Sequence, residues 1–109
     1  MSAPTLDIAA EVLEALAPEL PTLDALTEDQ AAGRACVWDA ERLTLQSAVD
    51  LGERRTEDGR WFPRACRKCT AHRAHRAMLD HGSQCPQCAT SEDCTILRGL
   101  YRLQRECRR

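Results

Sequence analysis

The chain has 109 residues, a formal net charge of −2, seven cysteines and only 4% aromatic residues. That length allows one domain with a modest core, and the few aromatics leave little bulky apolar material to build it from. A large catalytic domain and a membrane span are both excluded, and a small fold held together by its cysteines is favoured. No hydrophobic stretch follows a basic N-terminus, so the expectation is a cytoplasmic chain with no signal peptide. In that compartment cysteines point to metal rather than to disulfides.

Charge divides the chain at about residue 33. Residues 1–33 carry seven acids and no base, whereas residues 34–109 carry all 15 Lys and Arg. This reads as an acidic helical arm (1–33) joined to a basic, Cys-rich body (34–109). Such a body could bind nucleic acid, or the arm could fold back over it.

In the arm, Leu6, Ala9, Leu13 and Leu16 recur at helical spacing after Pro4, and Pro18 and Pro21 end that helix. Thr27-Glu28-Asp29-Gln30 reads as a capping box opening a short helix that Gly33 closes. The arm could dock a partner, but packing on its own body is the simpler expectation. In the body, Ser47-Ala48-Val49-Asp50-Leu51 predicts a strand, Thr56-Glu57-Asp58-Gly59 a turn, and Arg60-Trp61-Phe62-Pro63-Arg64-Ala65 the returning strand. Residues 66–81 lack Gly and Pro and predict a helix that Gly82 stops. Residues 85–94 predict a loop. Ile96, Leu97, Leu100, Leu103 and Cys107 predict a closing amphipathic helix over 95–107, capped by Ser91 or Thr95.

Cys66-Arg67-Lys68-Cys69 and Cys85-Pro86-Gln87-Cys88 are CxxC motifs. This spacing lets two thiolates reach one ion while turn amides bond to the sulfurs. Around the second motif, His81, Cys85, Cys88 and Cys94 have the spacing of a closed four-ligand site, with His72 or His75 as alternatives to His81. Cys107 is left over and predicts a buried or free thiol.

Cys36-Val37-Trp38-Asp39, then the hairpin, then a CxxC at a helix start follow the order knuckle, hairpin, helix. Residues 36–81 therefore resemble a treble-clef zinc finger. The resemblance implies a first zinc site (36–69) taking two ligands from the knuckle and two from the helix start. Here Asp39 stands where a second knuckle Cys is usual. Either it ligates with Cys36, Cys66 and Cys69, or it only caps the turn and another group completes the shell. A second zinc site (81–94) would follow. Cys-x2-Cys-x5-Cys at residues 85–94 before an apolar helix also resembles the WhiB-like iron–sulfur regulators. That likeness implies a [4Fe–4S] cluster with a fourth thiolate from Cys66 or Cys69. The Gly-rich turn typical of that family is missing. Ala35-Cys36-Val37-Trp38, Ala48-Val49-Asp50-Leu51-Gly52-Glu53-Arg54 and Trp61-Phe62-Pro63-Arg64-Ala65-Cys66 resemble small actinobacterial proteins with paired CxxC motifs, which implies no particular activity.

Enzyme readings find little support. Treble-clef nucleases place a His on the first hairpin strand, where this chain has Asp50 and Leu51. Metal-bound thiolates are poor redox nucleophiles. Binding is better supported. Arg60, Arg64, Arg67, Lys68 and Arg73 lie in the hairpin and helix, and Arg98, Arg102 and Arg105 recur on one face of the last helix. Arg suits phosphate, and Trp61 and Phe62 could either stack on bases or fill the core. The sequence thus predicts a small α+β zinc protein, non-enzymatic, with DNA or RNA as partner. The alternative is a protein partner held by the arm or the last helix.

Overall fold

The computed structural model describes residues 8–57, 59–86, 88 and 94–108. It is a small α+β fold of two two-stranded antiparallel sheets and packed helices. Residues 1–7, and with them Pro4 and Leu6, lie outside the described region.

Helix α1 spans Ala10–Leu16 and buries Val12 and Leu16, one turn apart on one face. Pro18 falls in a 3-10 turn, Ala17–Glu19, that ends α1, and a second 3-10 turn covers Leu23–Ala25. Helix α2, Glu28–Ala31, opens with the expected capping box. The Thr27 side chain accepts from the Gln30 N–H at 3.2 Å, and Gln30 Oε1 accepts from the Thr27 N–H at 2.9 Å. Gly33, at φ +79°, lets the chain leave α2 in the left-handed region.

The hairpin is longer than expected and breaks in its middle. Strands β1 (Ala48–Asp50) and β4 (Arg64–Cys66) form one ladder, and β2 (Arg54–Thr56) and β3 (Gly59–Trp61) form the other. The predicted strands over 47–51 and 60–65 are corrected accordingly. Ala48 pairs Cys66 and Arg54 pairs Trp61, so the register shifts by one residue between the ladders. The first arm bulges to absorb the extra residue, and Gly52 at φ +85° supplies the turn. Pro63 has no N–H to donate, so pairing lapses there, although its carbonyl still accepts from the Leu51 N–H at 3.1 Å. Thr56 faces Gly59 at the tip, where φ is +128°. Asp58, expected in that turn, lies outside the described residues.

Helix α3 covers Arg67–Gln84, three residues past its expected end. Gly82 does not stop it: open space surrounds this glycine, and the Cys85 N–H extends the ladder to the His81 carbonyl at 2.9 Å. Helix α4 covers Thr95–Cys107. Thr95 is its first helical residue and Cys94 takes the cap position, while Ser91 lies outside the described residues. Within the expected 85–94 loop, Pro86 and Cys88 have helical backbone and residues 87 and 89–93 are not described.

α3 and α4 run antiparallel. Arg67 reaches the Glu106 carbonyl at one end, and His81 meets Cys94 at the other. A small-residue face, Ala71, Ala74 and Ala77, is buried against Leu100, Leu103 and Cys107. The short side chains let the helices approach closely. α1 lies across both, so tightly at Gly99 that a Cβ there would collide with Val12. Trp61 joins this core at 7% exposure, whereas Phe62 is 50% exposed.

Candidate metal centres

The first cluster joins the knuckle to the start of α3. One ligand atom from each of Cys36, Asp39, Cys66 and Cys69 lies within 4.8 Å of all the others. Tetrahedral zinc with bonds of about 2.3 Å to sulfur separates its ligands by about 3.7 Å, so this set fits one ion after a small contraction. Three local features build it. The knuckle is a tight reverse turn: the Cys36 N–H donates to the Glu41 carbonyl at 2.8 Å and the Ala40 N–H to the Cys36 carbonyl at 2.9 Å. Ala40 pays for the turn with a left-handed φ of 62°. Second, the Val37 N–H donates to the Arg64 carbonyl at 3.0 Å, which ties the knuckle to β4. Third, Cys66 caps α3, its sulfur accepting from the Cys69 N–H at 3.4 Å, so both thiols sit at the helix end that favours negative charge.

Asp39 both caps and faces the thiols. Its Oδ1 accepts from the Glu41 N–H at 2.9 Å, while its Oδ2 accepts from the Cys69 thiol at 3.3 Å and the Cys66 thiol at 3.6 Å. Partial burial opposes its charge, but these donors outweigh burial and hold the carboxyl below its ordinary pKa. Burial pushes the thiols of Cys66 and Cys69 up; at Cys69 the Cys66 thiol and Asp39 add to the shift, whereas at Cys66 the Cys69 amide and thiol offset part of it. A dication at the centre would reverse that crowding and hold the sulfurs as thiolates.

The second cluster joins the end of α3 to the start of α4. His81, Cys85, Cys88 and Cys94 also place one ligand atom each within 4.8 Å of the others. His81 Nε2 lies 3.2 Å from Cys94 Sγ. Backbone amides of Leu97 and Ile96, the His81 ring and the Cys88 thiol together hold Cys94 down at about 6, against the pull of burial. Cys88 is pushed up to about 12, first by burial and then by Cys94 and Cys85. Each cluster thus has one group held toward its anionic form, Asp39 in the first and Cys94 in the second, beside thiols that burial pushes up, and a cation would balance that charge.

Of the three histidines, His81 is the one in this cluster. His72 is exposed, and His75 Nδ1 lies 3.4 Å from Gln104 Nε2. The seven cysteines are all free thiols. Cys107 is buried, and desolvation pushes its thiol up to about 11, partly offset by Arg67. The fourth thiolate expected of an iron–sulfur cluster does not come to Cys85, Cys88 and Cys94. Cys66 and Cys69 sit at the opposite end of α3, about 25 Å of helix away from Cys85.

The predicted cations do not form one patch. Arg73 stacks over Trp38 at 5.5 Å and pairs with Glu19 at 3.3 Å, and Arg76 pairs with the same carboxylate at 3.4 Å. Arg60 pairs with Glu53 at 3.4 Å, and the Arg64 side chain runs beside Gly33. Arg67 donates to the Glu106 carbonyl at 3.2 Å, and Lys68 is exposed. On α4, Arg98, Arg102 and Arg105 are exposed, Arg102 pairing with Glu106 at 3.5 Å and Arg105 lying over Tyr101 at 5.8 Å.

Two residues that sequence reasoning left out support the first cluster. Gln30, buried in α2, donates from Nε2 to the carbonyls of Cys36 at 3.0 Å and Val37 at 3.3 Å. Glu19 accepts from Trp38 Nε1 at its carbonyl, at 2.8 Å, and binds Arg73 and Arg76 through its carboxylate. The capping box located Gln30, but nothing local showed where its amide would point. The two Cys-rich groups could each hold a metal ion, and among the described residues no helix is long and apolar enough to cross a membrane. Compared with family models, curated proteins and solved structures, the chain matches none of them.

Proposed function

We propose that the chain is a non-enzymatic, treble-clef-like protein that binds two zinc ions and associates with nucleic acid in a regulatory or accessory role. The observation that carries this reading is the placement of two four-donor groups at the two ends of α3. Three sulfurs with one carboxylate, and three sulfurs with one imidazole, are donor sets that suit tetrahedral zinc. Zinc would act there as a structural cross-link. Four protein donors leave no open position for water, which supports a structural rather than a catalytic ion. Structural zinc contributes about 10–16 kcal/mol in finger peptides, comparable to the whole net stability of a domain. In a chain with so few aromatics, removing metal should unfold the body.

The exposed Arg98, Arg102 and Arg105 and the exposed Lys68 support the nucleic-acid part of the reading. Its test is a salt titration of binding to generic duplex and single strand. Affinity that falls steeply with salt supports it, and absence of binding at low salt removes it.

A second reading, a protein-interaction adaptor, rests on one observation. A groove of about 710 Å³ beside α4 is lined by Met78, Leu97 and Tyr101, with Tyr101 itself 52% exposed. α1 has turned Val12 and Leu16 inward, so the last helix is the face left for such a partner. That binding would change little with salt.

A further inference from the structure

A cleft of about 640 Å³ opens between the first half of α3 and the last turns of α4. Its polar walls are Lys68, His72, His75 and Arg108, all exposed, the half-buried Arg67 and the buried Gln104. No carboxylate lines it among the described residues. This sets it apart from the other arginine sites. Arg73 and Arg76 share Glu19, Arg54 meets Glu14, and Arg60 meets Glu53. Here the nearest acid on α4, Glu106, directs its carboxylate to Arg102 and offers the cleft side only its carbonyl, which fixes Arg67. Gln104 is 8% exposed, its amide against the His75 ring, so the inner wall is braced rather than loose. The thiol of Cys107 closes the floor and stays neutral below about pH 11, so it adds no negative charge.

We propose that this cleft is an anion site for the phosphoryl group of a nucleotide unit, either free or within a nucleic-acid strand. Arginine forks and a lysine point charge match phosphate oxygens. The volume lies within the range of about 300–1,000 Å³ typical of small-ligand sites, larger than a bare anion needs and enough for an attached sugar. The proposal deepens the nucleic-acid reading by naming its site. It does not depend on which metal fills the clusters.

The test uses the full metal-loaded chain. Inorganic phosphate, adenosine monophosphate, a single strand of about 12 nucleotides and a duplex of the same length are titrated at several salt concentrations. The same series is run on Lys68→Glu/Arg108→Glu, on the milder Lys68→Gln/Arg108→Gln, and on Arg42→Glu, an exposed arginine that does not line the cleft, as a control. Metal content and circular dichroism confirm that each variant is folded. The expected result is a loss of at least about tenfold in strand affinity for the reversal variant at low salt. Its log–log salt slope should fall by about 1.4, the loss of two phosphate contacts on a single strand. The Gln variant should fall between it and wild type, and Arg42→Glu should change affinity less than about threefold. If the strand binds but the cleft variants match wild type, the cleft proposal is overturned and the nucleic-acid reading stands. If only the small phosphates bind, and the cleft variants abolish that, the cleft stands and the nucleic-acid reading falls. No binding of any probe overturns both.

Discussion

Gln30 Nε2 donates to the backbone carbonyl of Cys36 at 3.0 Å. The bond joins the acidic N-terminal segment to the metal knuckle. The capping box fixes Gln30 Oε1 on the Thr27 amide, which leaves Nε2 free to reach the knuckle. A side chain chosen to start a helix thus also orients a cysteine. Replacing Gln30 with Leu keeps the volume but leaves the Cys36 carbonyl without this donor. The expected cost is about 1–3 kcal/mol in urea unfolding. Metal affinity of the first cluster should fall about 10–100-fold in chelator competition, as when an outer partner of a ligand is lost. An unchanged affinity would show that Gln30 serves α2 alone.

Asp39→Ala removes the one carboxylate of the first cluster. The expected result is loss of one metal ion per chain with the second cluster still loaded, and a lower unfolding midpoint. Asp39→Asn should behave alike in metal content while keeping the turn bond to the Glu41 amide. Unchanged zinc content in both would show that Asp39 only caps the turn.

Gly99→Ala tests the seat of α1. The added methyl would collide with Val12, and overpacking of this kind costs about 1–3 kcal/mol. The gain in helix propensity, about 1 kcal/mol, offsets part of it. Val12→Ala/Gly99→Ala should recover stability relative to the sum of the single changes, and a strictly additive cycle would contradict the contact.

Ala40→Gly should stabilise the folded protein by up to about 1 kcal/mol, because glycine relieves the left-handed φ of 62° at a smaller entropic cost. Thermal unfolding of the metal-loaded protein reads the change. Ala40→Val should destabilise it.

Cys107 gives a pH signature. Its folded pKa, about 11, is raised by burial above the ordinary thiol value. A raised pKa means the folded state holds the proton more tightly. Its contribution is therefore full below the unfolded pKa and is lost as pH rises toward about 11. Cys107→Ala should flatten the alkaline fall in stability that wild type shows between those values. At neutral pH the native thiol should resist alkylation.

Features set by short-range chemistry were legible in the sequence. The Thr27–Gln30 box, the turn closed by Gly59 and the helix beginning at the first CxxC each depend on neighbours within four residues. What escaped depends on distant partners. Gly82 reads as a stop, yet α3 continues past it until the Cys85 N–H meets the His81 carbonyl. Gly52 lies where the strands shift register, which only the paired strand reveals. The close approach of α1 at Gly99 depends on Val12, far away in the chain. Arg73 reads as a candidate phosphate-binding cation, yet it lies over Trp38 and pairs with Glu19. Cys36, Asp39, Cys66 and Cys69 were proposed as one group from motif order, and the fold brings their donor atoms together.

The central claim is that each end of α3 is held by its own zinc ion. Elemental analysis of protein purified without oxygen, with inorganic sulfide measured alongside, tests it most directly. The account predicts two zinc per chain, one for each four-donor group, and unfolding when a strong chelator removes them. Iron with stoichiometric sulfide, or a folded chain that holds no metal, would contradict it.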